Sequence, residues 1–119
     1  NIACARHLES SVRASVDFEM MAPVELSIFC FRYLPVQLRG AAPEVVDALN
    51  ETLLVALQED GSSYLSNTMI GGRFALRGCV LNYRTTVRDM EILLDDLRRL
   101  AKRLARQMLD PNIPQPNPT

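Results

Sequence analysis

Gly71 and Gly72 stand between two runs of strand-forming residues, 64–70 and 73–82, and no other feature of the chain restricts its fold as much. A Gly-Gly pair supplies the positive φ angles of a tight hairpin turn, so the two runs are expected to pair antiparallel. Such a hairpin must cover one face to be stable, and the flanking sequence offers the cover. Upstream, Val45, Val46, Leu49, Leu53, Leu54 and Leu57 fall at helical spacing over residues 43–60. Pro43 suits the first turn of this helix and Gly61 its left-handed C-terminal cap. Downstream, Met90, Leu93, Leu94, Leu97, Leu100, Leu104 and Met108 continue a second apolar stripe. Thr85 or Thr86 can cap that helix, with Asp89 three residues after Thr86 in the capping-box position. Its charges run from acidic to basic, as the helix dipole favours.

The rest of the chain completes the layer. Ile2, Ala5, Leu8, Val12 and Val16 follow a helical period near the start. This helix begins abruptly and without an initiator Met, so the chain is expected to be a segment of a longer one. Asp17 to Ala22 reads as an edge strand stopped at Pro23, and Leu26 to Tyr33 as a firmer, β-branched and aromatic strand ending at Pro35. Residues 111–119 hold four prolines and are expected to be a disordered tail behind a domain over 1–110. The order predicts an α+β fold, an antiparallel sheet of three to four strands with helices on one face.

Whole classes of function are excluded by charge and residue type. With 13 Lys plus Arg against 14 Asp plus Glu, the net charge of −1 does not describe a strongly basic nucleic-acid binder. No apolar run reaches the ~18–20 residues of a membrane span, so no membrane role is expected and a soluble, cytoplasmic setting is the default reading. Cys4, Cys30 and Cys79 are widely spaced and odd in number, and read as reduced thiols. His7 is the only histidine and reads as a surface residue, so no metal set is expected. Glu51, Glu59 and Asp60 form no acid/base pair, and Gly71-Gly72 lacks the strand-to-helix setting of a phosphate cradle. The basic cluster Arg98, Arg99, Lys102, Arg103 and Arg106 reads as a solvated helix face, with Asp95 and Asp96 one turn before it.

Period-two geometry places Phe74, Leu76 and Val80 on the core face of the last strand, with Gly78 allowing close approach. Arg73, Ala75, Arg77 and Cys79 fall on the other face. Arg77 is the most informative of these, because a guanidinium stays charged and requires an anionic partner wherever it is buried. The readings that stay open for it are a structural ion pair or a solvated sheet face on one side, and a clamp for a carboxylate ligand on the other. Arg32 reads as a strand-end residue with its head in water, or as a companion charge to Arg77.

Four stretches, LSIFCFR at 26–32, LNETLL at 49–54, GRFALR at 72–77 and NYRTT at 82–86 followed by Asp89, together resemble the C-terminal part of group II pyridoxal-phosphate-dependent amino-acid decarboxylases. These are the relatives of aromatic-amino-acid and glutamate decarboxylases, and the resemblance covers about residues 2–105. It implies a small domain of the type I pyridoxal-phosphate fold, packed against a large cofactor-binding domain that this chain lacks. It further implies a homodimeric parent acting as a carboxy-lyase on an amino acid, with pyridoxal phosphate bound in the parent and not by this segment. Arg77 matches the strand arginine that faces the active site and binds the substrate or product carboxylate. No catalytic, cofactor-binding or metal-binding residue is expected in the chain, because its only lysine, Lys102, lies on an amphipathic helix among arginines. The segment is then expected to help close an active site and to be inactive alone. A stand-alone ferredoxin-like module for anion binding or dimerisation is the competing expectation.

Overall fold

The computed structural model describes residues 2–61, 65–80 and 84–109. Helix α1 spans Ile2–Ala14, strands β1 and β2 span Phe18–Glu25 and Ile28–Tyr33, and a short 3-10 turn follows at Val36–Leu38. Helix α2 covers Pro43–Glu59, strands β3 and β4 cover Leu65–Ile70 and Arg73–Cys79, and helix α3 covers Val87–Leu109. The strands form one antiparallel sheet in the order β1-β2-β4-β3. Strand β4 inserts between β2 and β3, which α2 connects, making a split β-α-β unit. The expected α+β class is therefore the observed one.

Both glycines of the β3–β4 turn have positive φ, 56° and 78°, and the hairpin pairs in strict register from Leu65↔Gly78 to Ile70↔Arg73. The core forms where the aromatic side chains of β1, β2 and β4 meet the helix stripes. Phe18, Phe29, Phe31, Phe74 and Leu76 cluster with Leu8 and Val12 of α1, Leu53 and Leu57 of α2, and Leu93 and Leu97 of α3. Gly78 is buried beneath the Phe29 ring, and a Cβ there would lie 2.2 Å from Cζ. The capping box of α3 is made by Thr86, whose backbone N–H donates to Asp89 Oδ2 at 2.7 Å while its Oγ1 accepts from the Asp89 N–H at 3.3 Å.

Several sequence expectations require correction. Helix α1 ends at Ala14, so Val16 lies beyond it and is 66% exposed rather than part of the stripe. Strand β1 runs through Pro23 to Glu25 instead of stopping at it. As an edge strand, β1 needs no ladder bond from the missing Pro23 N–H, and the register shifts between Ala22 and Glu25. Strand β2 starts at Ile28, because Leu26 and Ser27 form a two-residue hairpin turn with Leu26 at φ 54°. That conformation is uncommon for a residue with a side chain, and Leu26 has no sequence signature of a turn. Val45 is exposed, and the buried stripe of α2 includes Asn50, which lies one turn after Val46. The expected strand extension over 81–82, the expected tail over 111–119 and residue 110 lie outside the described residues.

Candidate functional site

The residues of opposite parity to the core make a second face of the sheet. Cys30 and Arg32 of β2, Arg73, Arg77 and Cys79 of β4, and Ser66 and Thr68 of β3 all belong to it, and none joins the core cluster. Arg77 is half-buried and sits in register between Cys30 on one neighbouring strand and Ser66 on the other. Beyond the backbone ladder, no hydrogen bond or ion pair joins its side chain to another described residue. Its charge does act on Cys30: burial pushes that thiol above the usual range and the Arg77 guanidinium draws it partly back. A cation held in mid-strand by two flanking strands is rigid and pre-oriented, and it can fix a carboxylate by charge-assisted hydrogen bonds.

Arg32 departs from its expected position. Its side chain is only 16% exposed, one terminal nitrogen meets Glu19 Oε2 at 3.2 Å, and its Nε is buried without a partner among the described residues. The head does not reach open water, because β1 lies alongside β2 and brings Glu19 opposite Arg32. Of the polar residues at 66–68, Ser66 and Thr68 share the Arg77 face, while Asn67 pairs with Leu76 and belongs to the other.

Two residues that the sequence reading missed hold this frame together. Asn50, fully buried, accepts from the Tyr33 N–H at 2.7 Å and donates to the Tyr33 and Val46 carbonyls at 2.9 Å each. It ties α2 to the end of β2. Arg98, expected on a solvated face, instead donates from Nε to Asp17 Oδ2 at 2.9 Å and from a terminal nitrogen to Ser15 Oγ at 2.9 Å. Its guanidinium also lies 5.0 Å from the Phe18 ring centre, so it pins α3 to the start of β1. The expected pairing with the preceding acidic residues holds, Arg98 with Asp95 at 3.2 Å and Arg99 with Asp96 at 3.6 Å. His7 is about one-third exposed, and its Nε2, itself buried, stands 3.3 Å from Glu91 Oε1 without making a hydrogen bond.

The Arg77 face does not fit pyridoxal phosphate as an anchoring site. The cofactor requires a lysine, and Lys102 is exposed on α3, which packs on the opposite side of the sheet. Among the described residues no group of three or more His, Cys, Asp or Glu is placed to hold a metal ion. No helix among them is long and apolar enough to cross a membrane.

No family model matches the chain. An aromatic-L-amino-acid decarboxylase from Bacillus atrophaeus is 28% identical over 104 residues, which is 87% of this chain and 21% of the relative. Tryptophan decarboxylase 1 from Oryza sativa subsp. japonica is 35% identical over 81 residues, 67% of this chain and 16% of the relative. In structure, the chain is similar to Oryza sativa TDC with PLP and tryptamine, with a TM-score of 0.77, 26% identity and coverage of 87% of this chain and 22% of that one. It is also similar to the glutamate decarboxylase domain of diaminobutyrate-pyruvate transaminase and L-2,4-diaminobutyrate decarboxylase from Vibrio parahaemolyticus. That likeness has a TM-score of 0.74 and 28% identity, covering 86% of this chain and 21% of that one. The chain thus spans about a fifth of the length of the relatives it matches. By sequence and by fold, it matches a fragment of the group II pyridoxal-phosphate-dependent amino-acid decarboxylases.

Proposed function

We propose that this chain is the C-terminal small domain of a pyridoxal-phosphate-dependent amino-acid decarboxylase. In this reading the Arg77 face of the sheet packs toward a large cofactor-binding domain and helps to close the active site. The observation that carries the proposal is Arg77 itself, half-buried on that face, its side chain without a hydrogen bond or ion pair to another described residue. A structural ion pair would have supplied a carboxylate within the fold, so its absence among the described residues weighs against that reading and leaves the clamp against a solvated face, which the kinetics of an Arg77 variant separate. Bound pyridoxal phosphate supplies the electron sink for decarboxylation, and the lysine that holds it belongs to the large domain. Arg77 contributes orientation: its charge holds the substrate or product carboxylate. It has no reason to bind the departing carboxylate more tightly before the transition state than in it.

The parent is a carboxy-lyase on an amino acid, and the names of the relatives favour an aromatic one. It works as a soluble, cytoplasmic homodimer, with this segment inactive alone. Titrating the 119-residue chain with pyridoxal phosphate should give no lysine-dependent absorbance of bound cofactor. A stable adduct on Lys102 would contradict the division of labour. In the full-length parent, Arg77→Ala should lower kcat/KM by the equivalent of about 1.5–3 kcal/mol, the worth of a charge-assisted contact. Unchanged kinetics would return Arg77 to a structural role. The competing stand-alone anion-binding or dimerisation module shares the split β-α-β layout, so topology does not separate the two. Similarity over 87% of the chain to a decarboxylase favours the first.

A further inference from the structure

A cavity of about 240 Å³ opens where the ends of β2 and β4 meet the 3-10 turn and the start of α2. Arg32, Arg39 and Arg73 all line it, and among the described residues no carboxylate does. Three arginines therefore bring positive charge to one small lining, with only Arg32 paired to a carboxylate, Glu19, and an anion in the cleft would offset that charge. The surrounding charges do not cancel them. Glu19 engages one terminal nitrogen of Arg32 at 3.2 Å, and a terminal nitrogen of Arg39 donates to the Val16 carbonyl at 2.7 Å. Asp47, on α2, accepts the Phe74 N–H at 3.1 Å, and Glu44 points outward in the first turn of that helix. The Arg73 side chain has no hydrogen bond or ion pair to a described residue. The Arg32 Nε is buried and unpartnered, which is costly for a charged group and unusual in a folded protein.

We propose that this cleft is an oxyanion-binding site, built by Arg32, Arg39 and Arg73 to take a carboxylate or phosphate group. It is distinct from the Arg77 position, since Arg73 and Arg77 are four residues apart on one strand, about 13 Å. The volume is below that of a drug-sized ligand pocket and suits a small anion or the head of a larger one. The apolar walls at Leu38 and Val46 lower the local dielectric, which strengthens each charge-assisted bond. Gly40, with φ 86° and nothing within 4 Å of a would-be Cβ, leaves the rim open. The site does not depend on the decarboxylase assignment, because every group that forms it belongs to this chain.

The test is a titration of the ¹⁵N-labelled 119-residue chain with inorganic phosphate, matched for ionic strength with chloride. Saturable shifts are expected at the Gly40 and Ala41 amides and at the Arg32 Nε–H in the millimolar range, with chloride giving none. Arg73→Gln and, separately, Arg39→Gln should each weaken phosphate binding by at least about fivefold, since each removes one charge-assisted contact. Arg103→Gln, on the exposed side of α3, should change nothing. Shifts that stay linear, that chloride reproduces, or that persist unweakened in both cleft variants overturn the proposal. A parallel titration with acetate separates the two sources: equal response makes a carboxylate the occupant, and a tenfold preference for phosphate makes it a phosphate.

Discussion

Gly78, the penultimate residue of β4, is the one described glycine whose missing Cβ leaves room for a neighbouring side chain, and Gly78→Ala measures that close approach. The added Cβ would lie 2.2, 2.6 and 2.9 Å from three carbons of the Phe29 ring, against about 3.5–4.0 Å for relaxed carbon contacts. The ring would have to retreat by more than about 1 Å. It is 1% exposed and stacked 5.9 Å from Phe31, so it has nowhere to go. Overpacking of this kind costs about 1–3 kcal/mol, and a contact this short falls at the upper end. The smaller entropy of an unfolded chain with Ala in place of Gly returns about 0.4–1 kcal/mol. The expected net loss is about 2 kcal/mol, a large share of the ~5–15 kcal/mol that holds a domain folded. Urea denaturation followed by far-UV circular dichroism should show the midpoint falling by about 1 M at an unchanged slope. Phe29→Leu alone creates a void and is also destabilising. Combined with Gly78→Ala it should fill that void, leaving the double variant at least about 1 kcal/mol more stable than the sum of the two losses. A midpoint unmoved by Gly78→Ala, or strict additivity in the double variant, would refute the packing account.

Asn50→Ala should destabilise the chain by about 2–4 kcal/mol in the same assay, because it strands the buried Tyr33 N–H and carbonyl as well as deleting three hydrogen bonds. A loss under about 1 kcal/mol would mean that water replaces the amide. Stability should also decline with rising alkalinity. The Cys30 thiol is raised by burial, and the Tyr33 phenol by burial first and then by the Asp17 charge. The folded state therefore holds these protons above the pH at which the unfolded chain releases them. Stability from both groups is complete below about pH 8.5 and is lost as pH rises through about 9 and beyond. Tyr33→Phe should flatten the part of that decline above about pH 10, and an identical slope in the variant would assign the loss elsewhere.

The helices and the second hairpin were legible in the residues themselves. The Leu stripes of α2 and α3, the Thr86–Asp89 cap and Gly71-Gly72 are local signals, set by spacing within one element. The first hairpin was not, because Leu26 takes a positive φ that its side chain disfavours and Pro23 sits inside an edge strand that tolerates it. Both are cases where pairing with β2 overrides a local preference.

What the sequence alone determined was the parity of β2 and β4, the apolar face of each long helix and the antiparallel closure of β3 on β4, since these depend on backbone periodicity and on one turn. It also singled out Arg77. Only the tertiary structure decided which strands lie side by side, and with that the register setting Arg77 between Cys30 and Ser66, the tether from Arg98 to Asp17, and the meeting of Arg32, Arg39 and Arg73 at one cleft. Those groups lie up to 81 positions apart in the chain, and long-range charge and hydrogen-bond partners leave no periodic trace in the residues between them.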